Sequence, residues 1–144
     1  CIQKDKMFCY FAYKFVKEYI AICDGIFENN KGTINAPIAR KENSIIERCI
    51  SEAGDISITH YEVLKTANNY SVVKCILETG RTHQIRVHFS YINHPLVGDK
   101  IYGKEDVRLM LHCYNVNFIN PFDDKEINIV CYPDFYYDFI NTKE

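Results

Sequence analysis

Hydrophobic and polar residues alternate most regularly in two adjacent stretches, ISITHYEVLKTA (residues 56–67) and YSVVKCILE (residues 70–78). In the second, Val73, Cys75 and Leu77 alternate with Val72, Lys74 and Ile76. A period of two with β-branched residues predicts strands. Asn68-Asn69 between them predicts a hairpin turn, because asparagine tolerates positive φ. EYIAIC (Glu18–Cys23) predicts an earlier strand that stops at the turn signal Asp24-Gly25, and ENNKG (28–32) predicts another turn. TINAPI runs into RKENS as a polar connection, and IIERCIS (45–51) predicts a short strand. LMLHCYNVNF and EINIVCY predict two later strands joined by the turn NPFDD.

The period changes after Thr79-Gly80. Ile85, Phe89 and Ile92 fall at helical spacing, which predicts a helix from Thr82 to about Ile92 with Thr82 as its cap. Pro133 opens a short final helix in PDFYYDFI. Residues 4–16, rich in Tyr and Phe, read as an amphipathic segment of mixed period. Strand hairpins with few helices predict the α+β class: a mostly antiparallel mixed sheet flanked by a few helices, in a single domain covering residues 1–144.

Composition narrows the class. With 144 residues, 47% hydrophobic and 25% charged, the chain has the make-up of a soluble globular domain. No apolar run is long enough to span a membrane, and charges interrupt every early apolar run, so no signal peptide is expected. The seven cysteines are odd in number and form no C-x-x-C pair, which predicts free thiols in a reducing, cytoplasmic setting. A net charge of −2 gives no global case for a nucleic-acid partner. Any such case rests on a local patch.

One stretch carries polar density that a plain core helix does not need: LETGRTHQIRVHFSYINHPLVGDKIYG, Leu77 to Gly103. Gly80 offers a sharp turn from strand to helix, with Arg81, His83 and Arg86 in the first helical turns. Exposed amides at a helix start and the planar fork of arginine both suit an anion, a phosphate or a buried carboxylate. His83, His88 and His94 are five and six residues apart, unlike a helical zinc pair, so no metal is expected. Asp99 sits in a glycine-flanked loop, where bracing the loop is favoured over acid chemistry.

This stretch resembles the signature of RluA-type RNA pseudouridine synthases, L-x-T-G-R-x-H-Q-I-R-x-H followed by G-H-P-x-x-G-D-x-x-Y-G. KEYIAICDG, ITHYEVL, LHCYNVNFINP and CYPDF resemble flanking family segments, so the resemblance runs from about Lys17 to Phe135. It implies a pseudouridine synthase-like fold, incomplete at the N-terminus. It also implies isomerisation of uridine in ribosomal or transfer RNA without cofactor or metal. By resemblance, Tyr19 is the tyrosine that stacks on the target base and assists proton removal. Arg86 is the arginine that pairs with the catalytic aspartate. Arg81, His83, Lys100 and Lys104 are candidates for RNA backbone contact. Two departures are small: Asn93 stands where the family has Gly, and Ser57 where it has Ala. The third is large: the family's nucleophilic Asp belongs to an H-R-L-D motif that does not occur in this sequence. The chain alone is therefore expected to be inactive. A non-catalytic RNA-binding relative and an unrelated anion-binding module stay open as alternatives, and the oligomeric state is not legible.

Overall fold

The computed structural model describes residues 15–142. The predicted amphipathic segment at 4–16 lies outside them but for its last two residues. Among the described residues eight strands and two helices follow in order: β1 (Val16–Asp24), β2 (Lys31–Asn35), β3 (Ile38–Arg40), β4 (Arg48–Ile50), β5 (Ile58–Ala67), β6 (Tyr70–Leu77), α1 (Gln84–Tyr91), β7 (Leu111–Ile119), β8 (Glu126–Val130) and α2 (Asp134–Asn141). Six strands form one sheet in the order β2-β5-β6-β1-β7-β8, and β3 and β4 form a separate hairpin. All strand pairings among the described residues are antiparallel, which agrees with the α+β expectation.

The predicted hairpin turn holds: Asn68 and Asn69 adopt φ of 51° and 64° and join β5 to β6. Two asparagines at positive φ match the right-handed twist of the strands they connect. Strands β2 and β3 stand where the sequence pattern predicts only connection. Both are short, and Ala36-Pro37 interrupts them, so neither carries enough alternation to signal a strand.

Alternation along β1 separates two cores. Ala21 and Cys23 face Val73, Cys75, Leu96 and the apolar stripe of α1, Ile85 and Phe89. Ile20 and Ile22 face the other way, toward Val72, Tyr114 and Phe135 of α2. The sheet is thus a middle layer, with α1 and the β3–β4 hairpin on one face and α2 on the other. Among the described residues no helix is long and apolar enough to cross a membrane.

The loop after α1 is fastened to β1. Asp24 N–H donates to the Pro95 carbonyl (2.9 Å), Val97 N–H to the Ile22 carbonyl (2.9 Å), and Ile22 N–H to the Met110 carbonyl (3.1 Å). Gly98 makes this path feasible. Its φ is +77°, and an added Cβ would lie 1.8 Å from the Arg108 carbonyl oxygen. Asn93 takes φ 64°, the left-handed conformation for which asparagine is the best substitute for glycine.

Candidate active site

The approach to α1 differs from the sequence expectation. The helix starts at Gln84, not Thr82, and His83 is the N-cap residue in the left-handed region at φ 58°. Gln84 explains the shift. Its buried carboxamide oxygen accepts hydrogen bonds from Thr79 Oγ1 (2.8 Å) and the Arg81 amide (2.9 Å). Its Nε2 donates to the Ile58 carbonyl and Thr59 Oγ1, both at 3.0 Å. The turn is thereby tied to β5 before the helix begins. Gly80 is not at positive φ, and an added Cβ there would meet nothing within 4 Å.

His88, fully buried, completes this network. Its Nε2–H donates to the Ala36 carbonyl (2.9 Å), so its Nδ1 accepts from Thr59 Oγ1 (2.9 Å). Burial lowers its pKa and keeps the ring neutral. Gln84 and His88 lie at i and i+4 on the buried side of α1. A polar pair at that spacing, on the face of Ile85 and Phe89, was the available sign of a satisfied buried network.

Arg86 meets Asp99 in a two-point pair. Its Nε donates to Oδ2 and its Nη2 to Oδ1, each at 2.8 Å. The Asp99 side chain is wholly buried, and the Arg86 side chain keeps 15% exposure. Oδ1 also accepts the amides of Ile101 (3.0 Å) and Tyr102 (3.1 Å). Burial raises the Asp99 pKa, but Arg86 and the two amides outweigh it and hold the carboxyl below its ordinary value. The sequence favours a bracing role for Asp99, and these bonds describe a brace. A carboxylate with both oxygens engaged and no exposed surface is closed to an incoming group. Nη1 of Arg86 meets no hydrogen-bond partner among the described residues.

Tyr102, which sequence reasoning overlooked within GDKIYG, links the pieces. Its ring lies 5.1 Å from the Arg86 guanidinium carbon. Its hydroxyl accepts the Arg48 amide (2.8 Å), so its own proton goes to His83 Nδ1 (2.9 Å). His83 is neutral for the same reasons that lower its pKa: burial first, then the charges of Arg86 and Arg48.

Tyr19 lies on β1, on the sheet face that α1 covers, and packs against the cluster containing Ile85. Cys75 and Cys113 stand opposite it on the two neighbouring strands. A register shift between Glu18 and Tyr19 marks a bulge against β7. Such bulges re-aim a side chain, often beside a functional site. The flanking residue is pinned on the opposite face: Glu18 accepts hydrogen bonds from the Tyr114 hydroxyl and Asn115 Nδ2. Burial, then Cys113, raises the Tyr19 pKa, so the phenol keeps its proton at neutral pH. Its hydroxyl meets no hydrogen-bond partner among the described residues.

The other candidates do not converge on one patch. Arg81 lines a cleft with Arg40 and Arg48. Lys104 lines a different cleft, among Asp24, Glu105 and Asp106. Lys100 is exposed beside Asp99. A larger cleft, about 650 Å³, is lined by Phe27, Tyr61, Tyr91 and His94 and touches none of the candidates. Among the described residues no group of three or more His, Cys, Asp or Glu is placed to hold a metal.

A family model described as RNA pseudouridylate synthase matches residues 5–91. The chain is 44% identical over 108 residues to YjbO of Bacillus subtilis, named as an RNA pseudouridine synthase, covering 73% of this chain and 38% of the relative. It is 46% identical over 89 residues to ribosomal large subunit pseudouridine synthase D of Blochmanniella floridana, covering 62% of this chain and 28% of the relative. The solved structure of human RNA pseudouridylate synthase domain containing 1 superimposes with a TM-score of 0.76 at 30% identity, over 89% of this chain and 58% of that one. The chain spans less than half the length of these curated relatives.

Proposed function

Because the chain belongs to the RNA pseudouridylate synthase family, we propose that it forms the C-terminal part of the catalytic domain of an RNA pseudouridine synthase. The substrate is a uridine within ribosomal or transfer RNA, and the enzyme is cytoplasmic. Five cysteines without a disulfide among the described residues support a reducing compartment.

The reaction is an isomerisation. The N1–C1′ bond of uridine breaks, the uracil turns, and a C5–C1′ bond forms while C5 loses a proton and N1 gains one. Atoms and electrons balance within the substrate, so neither cofactor nor metal is required. The observation that carries the reading is the Arg86–Asp99–Tyr102 unit on the sheet face that also bears Tyr19. Asp99 fixes two nitrogens of Arg86 and leaves Nη1 for a second carboxylate. That carboxylate is the nucleophile, supplied by a segment outside this sequence. Tyr19, held protonated by burial, presents its ring to the extruded uracil. Base–aromatic stacking contributes about 1–3 kcal/mol, which offsets part of the cost of taking the base out of its stack.

The chain by itself makes no pseudouridine, since its remaining groups bind and orient but do not attack. The test compares this chain with a longer protein that joins it to an H-R-L-D-bearing segment, each incubated with unmodified RNA and followed by chemical mapping. Product from the longer protein only is expected. Product from the 144-residue chain alone would contradict the reading. The missing motif also favours a second reading, an RNA-binding relative without catalysis. RNA binding without product from either protein would select it.

A further inference from the structure

The β3–β4 hairpin sets Arg40 directly opposite Arg48. Like charges at facing strand positions destabilise the pair. The adjacent position carries the opposite arrangement, an ion pair between Lys41 and Glu47. The Arg40 side chain has no ion pair or hydrogen-bond partner among the described residues. Stability gives no reason for two arginines here.

Both arginines, with Arg81 from the turn before α1, line one open cleft of about 490 Å³. Arg48 is already immobilised. Its Nη1 donates to the carbonyls of Ile46 (3.2 Å) and Glu47 (3.1 Å), which leaves the rest of the guanidinium to the cleft. Arg81 is tethered through Nε to the Ile56 carbonyl (3.3 Å). Among the described residues the one carboxylate on the cleft wall is Asp55, 3.8 Å from Arg81 Nη1 and largely exposed, a weak competitor.

The glycines on this wall differ. Gly54 is required by packing, since its Cβ would lie 2.5 Å from the Ile38 carbonyl carbon. Gly80 is required by neither backbone conformation nor packing. A glycine with open space beside it, between arginines, permits close approach of a ligand to the backbone. The cleft is also joined to the candidate active site through one strand: the Arg48 amide is bonded to the Tyr102 hydroxyl.

We infer that Arg40, Arg48 and Arg81 form a docking cleft for backbone phosphodiesters of the RNA, next to the uridine site. This rests on the reading under Proposed function and names residues for the backbone contact it requires. Three cations spaced along a hairpin and a turn suit successive phosphates of a strand better than one small anion. Arginine also forks onto phosphate oxygens in two-point contacts.

The test measures the affinity of the full chain for an RNA stem-loop with a uridine-containing loop, as a function of KCl concentration. Each phosphate contact contributes about 0.7 to the slope of log affinity against log salt for single strands. The Arg40→Gln/Arg81→Gln variant should lose about 1.4 from that slope. Lys31→Gln/Lys125→Gln, with the same change in net charge outside the cleft, should keep the wild-type slope. Gly80→Val should weaken RNA binding severalfold with unchanged melting, because it fills the cleft without touching a charge. An unchanged slope in the arginine variant, with wild-type binding intact, would overturn the cleft and leave the functional reading standing. Wild-type protein that binds no RNA would overturn both. Tight calorimetric binding of inorganic phosphate at constant ionic strength, abolished by the arginine changes, would make the cleft a small-anion site and overturn the inference.

Discussion

Replacing Asp99 by Asn keeps the size of the side chain and removes its charge. In the wild type that carboxylate accepts two bonds from Arg86 and two from loop amides, with no solvent exposure of its own side chain. The asparagine of an Asp99→Asn variant can accept on one oxygen only, and its NH2 group would face a guanidinium that cannot accept. Arg86, itself mostly buried, would keep its charge without its partner. Removing one member of a buried pair typically costs about 3–5 kcal/mol. The residual exposure of Arg86 argues for the lower end, about 3 kcal/mol. For a chain of this size each kcal/mol moves the melting temperature by about 3–4 °C, so a drop of about 10 °C is expected. The pH dependence gives a second check. Asp99 titrates below its ordinary value in the fold, so its contribution is complete above the ordinary carboxyl range and is lost as pH falls through the folded pKa. Wild type and variant should therefore converge in acid. Thermal melts monitored by circular dichroism from pH 7 downward measure both effects. A variant that melts with the wild type at pH 7 would refute the claim that this pair braces the loop.

Gly98→Ala should destabilise by more than about 3 kcal/mol in urea unfolding, from positive φ and the clash with the Arg108 carbonyl together. Gly80→Ala should be neutral or stabilising by up to about 1 kcal/mol, since neither obstacle exists there. Tyr102→Phe should cost about 1–3 kcal/mol, because it orphans the Arg48 amide and His83 Nδ1 while keeping the ring under Arg86. His83 and His88 both titrate below the ordinary histidine value in the fold. The unfolded chain therefore binds more protons below about pH 6.5, and stability should fall from there toward pH 5. A melting temperature that stays flat over that interval would contradict their neutrality.

The elements that were legible in the sequence are those whose signal is local. The β5–β6 hairpin is an example: long alternation flanks two asparagines, and both strands and turn fall where expected. Strand β3 is the opposite case. The strand expected at 45–51 appears as β4, but its three-residue partner carries no period, and its placement depends on Gly54 fitting against Ile38, a contact outside the local sequence. The apolar spacing of helix α1 reveals the helix but puts its start two residues early, at Thr82. Gln84 ties the turn to β5, so tertiary hydrogen bonds outweigh the local capping preference. In the site, resemblance supplied Tyr19 and Arg86. The loop-bracing role of Asp99 was legible from its glycine-flanked loop, but its two-point pairing with Arg86 depends on a loop path fixed by tertiary contacts. Arg40 and Arg48 left no sequence signal at all, because cross-strand opposition becomes visible only when register is known.

The central claim is that the target uracil stacks on Tyr19 beside Arg86. Its most direct test is the single-turnover rate of pseudouridine formation by an active protein containing this chain, wild type against Tyr19→Leu, with RNA affinity measured in parallel. Loss of a base–aromatic stack worth about 1–3 kcal/mol in the transition state predicts a rate lower by about 5- to 160-fold, with RNA affinity unchanged because phosphate contacts dominate it. A Tyr19→Leu protein that converts uridine at the wild-type rate would contradict the account.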